Sequence, residues 1–381
     1  MRITAVTTIS RPMAASWLTD TVIATPMSGF AEHRERRSSW FGRMVAGVVC
    51  IETDDGLTGL GYIGGGKAAA ASIVEDQYAG LLIGADPFDT ARLWDLLFRA
   101  AQMHGRRGAA MAALSGVDIA LWDLVGQATG QPVYRLLGGA TKPEGIPAYP
   151  TGNDVERYAA QGFKAVKLAM PYGPAGGIDG MRANESLVRR AREAMGADAA
   201  LRLDCYMAWD VPYTLRMARR LVDYGIDWIE EPVLPDDVDG YRRIRDVLTG
   251  LGIMLTGGEH CYTRHEFRTL LDAGAVDLVQ PDIYRAGGIS ELRHIASLAS
   301  AHHTPLIPHG IGAPTYHLVM ATANAPAAEF VDVFAQGGEL MLVGEPQPSD
   351  GVIHLSPETP GFGYRLNVEL LASDRGPVPI W

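Results

Sequence analysis

The sequence predicts an α/β protein in which a modified (β/α)8-type, TIM-like barrel follows an α+β domain. After Pro143, short apolar runs alternate with amphipathic helical patterns for about 200 residues, whereas before it strand patterns precede helical ones. Three of the short runs end on acidic residues, at Asp204, Glu230 and Glu259. Because the chemistry of such barrels lies at the carboxyl ends of their strands, these residues indicate one site at one end of the barrel.

Composition limits the class of protein and its partners. The chain has 381 residues, 47% of them hydrophobic, so we expect more than one buried core. A net charge of -11 and a pI near 5.4, without any run rich in lysine or arginine, disfavour nucleic acids and anionic membranes as partners. A small-molecule substrate is the expected partner.

The cysteines and the N-terminus indicate the cellular compartment in which the protein is expected. Cys50, Cys205 and Cys261 are widely spaced and form no CxxC pair, so neither a disulfide framework nor a structural zinc site is supported. The N-terminus lacks the apolar segment of a secretion signal, and no window of about 18 residues is apolar without charges. We therefore expect a cytoplasmic protein.

Residues 1–140 predict the α+β domain. Residues 2–10 alternate in polarity, and residues 44–53 form a β-branched run that a tight turn closes. Helical spacing follows from about residue 68 to 136. The irregular stretch between the strands, about residues 15–43, is long for a loop in a compact domain and is predicted to be a substrate lid.

Residues 141–344 predict the barrel, and residues 345–381 a C-terminal segment that packs back on the first domain. The eight candidate strands are 146–149, 163–169, 199–204, 226–230, 253–256, 276–280, 304–308 and about 328–332. Periodicity alone does not separate a barrel from a doubly wound sheet, but no GxGxxG motif follows a strand, which disfavours a dinucleotide site. The C-terminal segment shows no clear helical pattern.

The three acidic strand ends predict a metal site. Asp204 and Glu230 are 26 positions apart and Glu259 follows 29 positions later, about one strand-loop-helix unit each time. A lone Asp after a strand is more often a helix N-cap, but three convergent carboxylates would repel one another and take up protons without a hard divalent cation. Strand alternation favours Glu230 over Glu231 as the ligand, and Glu231 has a structural salt bridge as its alternative.

A histidine and a lysine complete the predicted site. His309 ends a strand, and Asp282 ends the preceding strand 27 positions earlier, so a carboxylate–imidazole pair is predicted; a hydrogen-bonded loop histidine is the alternative. Lys167 faces the same end from the second strand, where it can stabilise negative charge on a substrate oxygen. A Schiff-base lysine, as in an aldolase, is the alternative that the three carboxylates disfavour.

Over its whole length, the chain resembles the enolase superfamily, in the mandelate racemase and muconate-lactonizing branch. The resemblance implies a capping domain over a modified barrel, a Mg²⁺ ion (Mn²⁺ as the alternative) held by Asp204, Glu230 and Glu259, and a homo-oligomer. The motifs that carry it are Asp204, Trp228-Ile229-Glu230-Glu231-Pro232, Gly258-Glu259-His260, Gln280-Pro281-Asp282, Pro308-His309-Gly310 and Pro360-Gly361-Phe362-Gly363.

Within that branch the chain is most similar to the acid-sugar dehydratases, with which it shares Gly258-Glu259-His260 and residues 23–28 (IATPMS) of the lid. Racemising and lactonizing members carry Lys-x-Lys on the second strand, and here Ala169 replaces the second lysine. The resemblance therefore implies dehydration of an aldonate such as L-rhamnonate or L-lyxonate to a 2-keto-3-deoxy acid. An epimerase or racemase of a carboxylate substrate is the alternative.

The resemblance also implies roles for single residues. His309 would remove the proton alpha to the carboxylate, through a metal-stabilised enediolate, and then protonate the departing beta-hydroxyl. Glu345 resembles the residue near the enolate oxygen, with a loop salt bridge as its alternative. Ser16 departs from the rhamnonate pattern, which has histidine before the lid tryptophan. The substrate-binding residues expected are Trp17, His33, Arg43 and His260.

Overall fold

The computed structural model describes residues 1–14, 22–34, 45–64, 67–103, 105–331, 341–372 and 378–379. Trp17 and Arg43, two of the expected substrate contacts, lie outside the described residues, as does Ser16. The lid is therefore described only over residues 22–34, which contain two short 3-10 turns, Pro26–Gly29 and Ala31–His33.

The first domain begins with an antiparallel meander of β1 (Ile3–Ala14), β2 (Val45–Thr53) and β3 (Thr58–Tyr62). Helices follow over the stretch where the sequence predicts helical spacing, and in its described residues they are α1 (Lys67–Ile73), α2 (Ala79–Leu82), α3 (Thr90–Ala100), α4 (Ala109–Thr129) and α5 (Val133–Leu136).

Helix α4 is the core helix of the first domain. It is apolar all round and long enough to cross a membrane, but 94% of its most apolar window is buried inside the protein. Strand β3 packs directly on it, because Gly59 and Gly61 have no side chains: a Cβ at Gly61 would overlap the carbonyl oxygen of Gly116. Close backbone approach of a strand to a helix explains the glycines at these positions.

The barrel strands are β4 (Ile146–Pro150), β5 (Ala165–Ala169), β6 (Ala200–Asp204), β7 (Ile226–Glu230), β8 (Met254–Gly257), β9 (Leu278–Val279) and β10 (Ala328–Phe330). Strands β5 to β9 form one parallel sheet, and β10 pairs in parallel with β4. Parallel bridges Thr151↔Lys167 and Val279↔Leu306 continue the ring on either side of the sheet.

The predicted strand at 304–308 is reduced to isolated bridges at Leu306 and His309. Pro305 and Pro308 explain the difference, because neither residue has an N–H to donate to a ladder. His309 nevertheless keeps its place, since its bridge partner is Asp282.

Seven helices surround these strands: α6 (Val155–Ala160), α7 (Gly177–Met195), α8 (Val211–Leu221), α9 (Val238–Leu251), α10 (Thr263–Asp272), α11 (Gly288–Ala301) and α12 (Ala313–Ala321). Aspartates begin two of them: Asp210 accepts from Tyr213 N at 2.7 Å and Asp237 accepts from Gly240 N at 2.9 Å. Side-chain caps of this kind satisfy the free N–H groups of a first turn.

The C-terminal segment contacts the first domain. β11 (Leu342–Val343) precedes it, and it contains β12 (Val352–Ile353), β13 (Arg365–Leu366), α13 (Val368–Ala372) and β14 (Val378–Pro379), which pairs with β1. Phe362 N donates to Asp123 Oδ1 at 3.0 Å. The sequence shows no clear helical pattern in this segment, because the five residues of α13 are too few to show helical periodicity. The boundaries 1–140, 141–344 and 345–381 stay a prediction.

The interior of the barrel is filled below the strand ends. Tyr149, Trp228, Leu278, Ile307 and Ala327 form a separate buried cluster there. The guanidinium of Arg202 lies 4.0 Å from the ring centroid of Trp228 and 4.3 Å from that of Tyr149. Since Arg202 precedes Asp204 by two residues on the same face of β6, this layer lies beneath the acidic strand ends.

Candidate active site

Lys167 is the centre of a buried ion cluster. Its Nζ lies 2.7 Å from Glu230 Oε1, 3.0 Å from Glu329 Oε1 and 3.7 Å from Asp204 Oδ2, and its side chain is fully buried. Burial alone would lower the pKa of Lys167, but the three carboxylates outweigh it and raise the pKa well above its usual value. A lysine held protonated is not a nucleophile, which disfavours the Schiff-base alternative.

Two of the predicted metal ligands have raised pKa values. Burial raises the pKa of Glu230 to about 8, and it raises the pKa of Asp204, although Lys167 opposes both shifts. Glu230 Oε2 also accepts from Gln280 Nε2 at 2.8 Å, and the amide oxygen of Gln280 accepts from the hydroxyl group of Thr256. Carboxylates driven towards protonation by burial and by one another suit a hard cation, which would stabilise their ionised forms.

His309 and Asp282 form the predicted pair. His309 Nδ1 lies 3.0 Å from Asp282 Oδ2, while Nε2 lies 3.4 Å from Glu259 Oε1 and 4.0 Å from Glu329 Oε2. Burial lowers the pKa of His309, but Glu259, Glu329 and Asp282 outweigh it and raise the pKa to about 9. Because Nδ1 faces Asp282, Nε2 is the nitrogen that faces the carboxylate cluster.

Glu259, the third predicted ligand, lies between cationic groups. Its Oε1 is 2.7 Å from Arg285 Nη1, and Arg285 Nε is 3.0 Å from Asp282 Oδ2. Burial would raise the pKa of Glu259, but His309, His260 and Arg285 lower it well below its usual value. Arg285 therefore links the expected metal ligand to the histidine–aspartate pair, a role that the sequence reasoning missed.

Glu231 binds His260, as its structural alternative predicts. His260 Nδ1 lies 2.6 Å from Glu231 Oε2, and Glu231 Oε1 accepts from the backbone N–H groups of Gly258 and His260 at 3.2 Å each. Among the described residues, one set of three candidate ligand atoms lies within 4.8 Å of one another: Glu231, Glu259 and His260. The predicted ligands Asp204, Glu230 and Glu259 do not form such a set among the described residues, and both oxygens of Glu230, like those of Glu231, are already engaged.

Two family models match the chain. One is described as "Enolase C-terminal domain-like" and matches residues 151–370; the other, "Mandelate racemase / muconate lactonizing enzyme, N-terminal domain", matches residues 41–138. The chain belongs to the enolase superfamily. Both the family and the fold class expected from the sequence, a TIM-like barrel with a capping domain, are thus confirmed, as is the expectation of an enzyme of this superfamily.

Individual members of the superfamily match over almost the whole chain. An L-rhamnonate dehydratase of Saccharopolyspora erythraea is 40% identical over 93% of this chain and 91% of its own. A crystal structure of rhamnonate dehydratase from Gibberella zeae complexed with Mg has a TM-score of 0.88 at 34% identity, covering 97% of this chain and 95% of that one. A racemase from Streptomyces coelicolor A3(2) with bound magnesium has a TM-score of 0.82 at 30% identity, covering 97% and 98%.

In this enolase-superfamily site, Glu329 is a second residue that the sequence reasoning missed. Besides Lys167, its carboxylate accepts from Thr151 Oγ1 and, at 3.0 Å, from Gly310 N. Burial would raise the pKa of Glu329, but Lys167 and His309 lower it. One signal was available: Glu329 is an acidic residue inside an apolar run, on the same strand face as the buried Ala327.

Glu345, predicted to be catalytic, has different surroundings. Its Oε2 accepts from Ala313 N at 2.6 Å, at the start of α12, and burial raises its pKa to about 7. Within the described part of the chain, no hydrogen bond or ion pair joins Glu345 to Lys167 or His309. Its contact supports the loop that carries His309.

The described part of the lid lies on the barrel beside β5. Ala24 N donates to Met170 O at 3.0 Å, and Thr25 caps the first 3-10 turn through a bond to Met27 N. His33 ends the second turn and is partly buried. The segment therefore approaches the strand ends from the Lys167 side, while His260 lies on the Glu259 side.

Proposed function

We propose that this chain is a Mg²⁺-dependent hydro-lyase that converts a sugar acid, an aldonate such as L-rhamnonate or L-lyxonate, into a 2-keto-3-deoxy acid. The carrying observation is the pairing of His309 with Asp282 beside a cluster of buried carboxylates. The names of the S. erythraea and G. zeae relatives, both rhamnonate dehydratases, support the substrate class.

Asp204, Glu230 and Glu259 would hold the metal ion. Their donors are all carboxylate oxygens, the ligands that Mg²⁺ prefers, and the raised pKa values of Asp204 and Glu230 fit a cationic partner. Mn²⁺ is the alternative ion, and the magnesium complex of the G. zeae relative favours Mg²⁺. When bound, the ion supplies Lewis-acid polarisation of the substrate carboxylate.

His309 would carry the proton through both steps. In the neutral form of His309, Nε2 removes the proton from the carbon next to the carboxylate, and Asp282 on Nδ1 fixes the ring and stabilises the imidazolium that results. The same Nε2 then donates that proton to the beta-hydroxyl as its C–O bond breaks, releasing water. The enol that remains rearranges to the 2-keto acid, so atoms and charge balance.

The protonated Lys167 would stabilise negative charge that develops on the substrate. For the carboxyl group near that charge we propose Glu329 rather than Glu345, because Glu329 lies against both Lys167 and His309. Glu345 would instead hold the loop before α12. His33, His260, Trp17 and Arg43 stay our proposed contacts to the hydroxyl groups of the sugar acid.

Epimerisation is the second candidate, because the S. coelicolor neighbour is named a racemase. Inversion requires a proton carrier on each face of the substrate. At the end of β5, Ala169 has no titratable group, and Lys167 is engaged by three carboxylates. Dehydration needs His309 alone and is therefore favoured.

The test is a panel of aldonic and aldaric acids, incubated with the protein and Mg²⁺ and assayed for 2-keto-3-deoxy acids. We expect activity with a six- or five-carbon aldonate, and a loss of about 10²- to 10⁴-fold in His309→Asn. His265→Asn, an exposed histidine of α10, is the control and should remain active. Absence of any keto acid, or inversion with solvent deuterium uptake and no loss of water, would refute dehydration.

We also propose that the protein is a homo-oligomer that acts in the cytoplasm on a small molecule, without nucleic acid or membrane as partner. The described surface includes several exposed apolar side chains, among them Phe88, Met103 and Leu234. Light scattering at several protein concentrations tests the assembly directly.

A further inference from the structure

The residues after Asp282 form a turn that is tied to the Asp282 carboxylate. Asp282 Oδ1 accepts from Tyr284 N at 2.7 Å, its carbonyl accepts from Ala286 N at 2.8 Å, and its Oδ2 pairs with Arg285 Nε at 3.0 Å. We call residues 282–290 the dyad turn. Because three of its groups bond to Asp282, displacement of the turn displaces the carboxylate that orients His309.

The capping domain holds both backbone groups of Gly287 in the dyad turn. Gly287 N donates to Ser115 Oγ at 2.9 Å, and Gly287 O accepts from Trp94 Nε1 at 2.8 Å. Ser115 is fully buried in α4, and its hydroxyl donates to Met111 O at 2.7 Å, which leaves its oxygen free to accept. The bond therefore has a fixed direction.

The capping domain also holds Ser290, at the start of α11. Ser290 N donates to Asp118 Oδ2 at 2.9 Å, and Trp122 Nε1 donates to Ser290 Oγ at 2.9 Å. Asp118 lies so close to the turn that a Cβ on Gly288 would overlap its carboxylate. Gly288 also has a φ of +76°, so the turn is shaped to accept this side chain.

Capping α11 with the buried carboxylate of Asp118 carries a desolvation penalty. It is 2% exposed, its second oxygen Oδ1 has no hydrogen-bond partner, and burial raises its pKa to about 7. Burying a carboxylate destabilises a fold unless its hydrogen bonds compensate. The bonds that stabilise the ionised Asp118 come from Ser290 and Ile289, so this carboxylate joins α4 to the dyad turn.

We propose that Ser115 and Asp118 of the capping domain are positioning residues for the reaction, acting through the dyad turn on Asp282 and thereby on His309. Misplacement of a catalytic group by about 1 Å can cost 10²-fold in rate, so a shift of this turn would slow proton transfer while leaving substrate contacts in place. The kinetic part of this inference rests on the proposed dehydratase function.

Asp123 provides a matched control on the same helix. It is also 2% exposed, and burial also raises its pKa to about 7. Its bonds go elsewhere, to Leu60 N at 3.1 Å and Phe362 N at 3.0 Å. Asp118→Ala and Asp123→Ala therefore remove equivalent buried carboxylates, and only the first removes a bond to the dyad turn.

We expect Asp118→Ala to lower kcat about tenfold, with KM changed less than about twofold, and to raise the primary isotope effect of a substrate deuterated at the alpha carbon. Asp123→Ala should leave kcat and the isotope effect unchanged, even if it unfolds more easily. Asp118→Asn keeps an acceptor oxygen for Ser290 N and should restore most of the rate. If Asp118→Ala does not fold, Ser115→Ala replaces it in the same comparison.

Hydrogen exchange provides a readout that needs no substrate. In Asp118→Ala or Ser115→Ala, peptides that cover residues 282–290 should exchange faster than in the unmodified protein, whereas Asp123→Ala should leave them unchanged. Equal exchange and equal kcat in the Asp118 and Asp123 variants would overturn the inference. If the unmodified protein dehydrates no acid, the proposed function fails, while the exchange comparison still decides the role of the dyad turn.

Discussion

At the scale of single residues, Lys167 balances the charge of the barrel mouth. It is the cation that three carboxylates, Asp204, Glu230 and Glu329, contact within 3.7 Å. Removing one partner of a buried ion pair leaves the others without a counter-charge in a medium that solvates them poorly. The stability of the metal-free protein should therefore depend on this lysine more than on any surface ion pair.

We predict that Lys167→Met lowers the free energy of unfolding of the chelator-treated protein by about 3–5 kcal/mol, the cost typical of a broken buried pair. Urea unfolding followed by circular dichroism measures it. Lys164→Met is the control, because Lys164 precedes the same strand and is exposed. Equal stabilities of the two variants would show that Lys167 is not needed as a counter-charge.

Alternation along the strands predicted which side chains point into the barrel. The side chains of Lys167, within β5, and Glu230, at the end of β7, are buried inside the barrel, and Asp282 and His309 lie within 3.0 Å of each other. Glu329 and Arg285 were missed because their partners come from other strands. One-dimensional spacing shows which strand end a residue occupies, but not which side chains reach across the ring.

At the scale of elements, α12 contains a histidine that the site does not use. His317 is 3% exposed, its Nδ1 accepts from Tyr134 N at 3.1 Å, and the rings of Tyr134 and Phe362 lie 5.6 and 5.3 Å away. Burial lowers its pKa to about 3. The helix thus depends on a neutral imidazole to join α5, in the first domain, to the C-terminal segment.

This histidine makes stability depend on pH. The unfolded chain takes up a proton on His317 near pH 6.5, whereas the folded chain resists it until about pH 3. The neutral imidazole therefore stabilises the fold fully above pH 6.5. As the pH falls from 6.5 towards 3, the free energy of unfolding decreases by about 1.4 kcal/mol per pH unit. In His317→Gln, the loss of unfolding free energy between pH 7 and pH 5 should shrink by about 2 kcal/mol. His265→Gln, at an exposed site, should not change it.

The contact of β3 with α4 leaves no space for a side chain. We predict that Gly61→Ala lowers the free energy of unfolding by about 3 kcal/mol. The added methyl group would overlap backbone atoms of α4, and these can move away only if the whole helix shifts. Gly80→Ala is the control, since nothing lies within 4 Å of a Cβ there and Gly80 lies in a helix. Calorimetric melting of both variants measures the effect, and equal melting temperatures would contradict it.

The elements themselves were largely predictable. The sequence shows helical patterns at 237–248 and 288–302, and α9 and α11 begin within one residue of these starts, because their apolar periodicity is sustained over several turns. The apolar run at 304–308 predicted a hydrogen-bonded strand, but only isolated bridges form there, because two prolines lack the N–H groups that a ladder requires. Short elements such as α13 contain too little pattern to be recognised.

At the scale of the whole molecule, the first domain and the barrel contact each other at several places. The dyad turn joins α4 to the barrel beside Asp282, and the C-terminal segment joins the barrel to β3 and α4 through Tyr364 and Phe362. Composition predicted more than one core, and the motifs identified the superfamily. The contacts between domains depend on tertiary geometry, and only the return of the C-terminal segment was expected.

The packed layer of Tyr149, Arg202 and Trp228 beneath the strand ends limits the route by which molecules reach and leave the site. Because the barrel is filled there, substrate and product both pass through the mouth that faces the capping domain. In the proposed dehydration, the keto acid retains the carboxylate of its precursor and would compete with the next substrate for the same site. We therefore predict competitive product inhibition, measured from initial rates at several product concentrations; a noncompetitive pattern would show that the product binds a second site or another form of the enzyme.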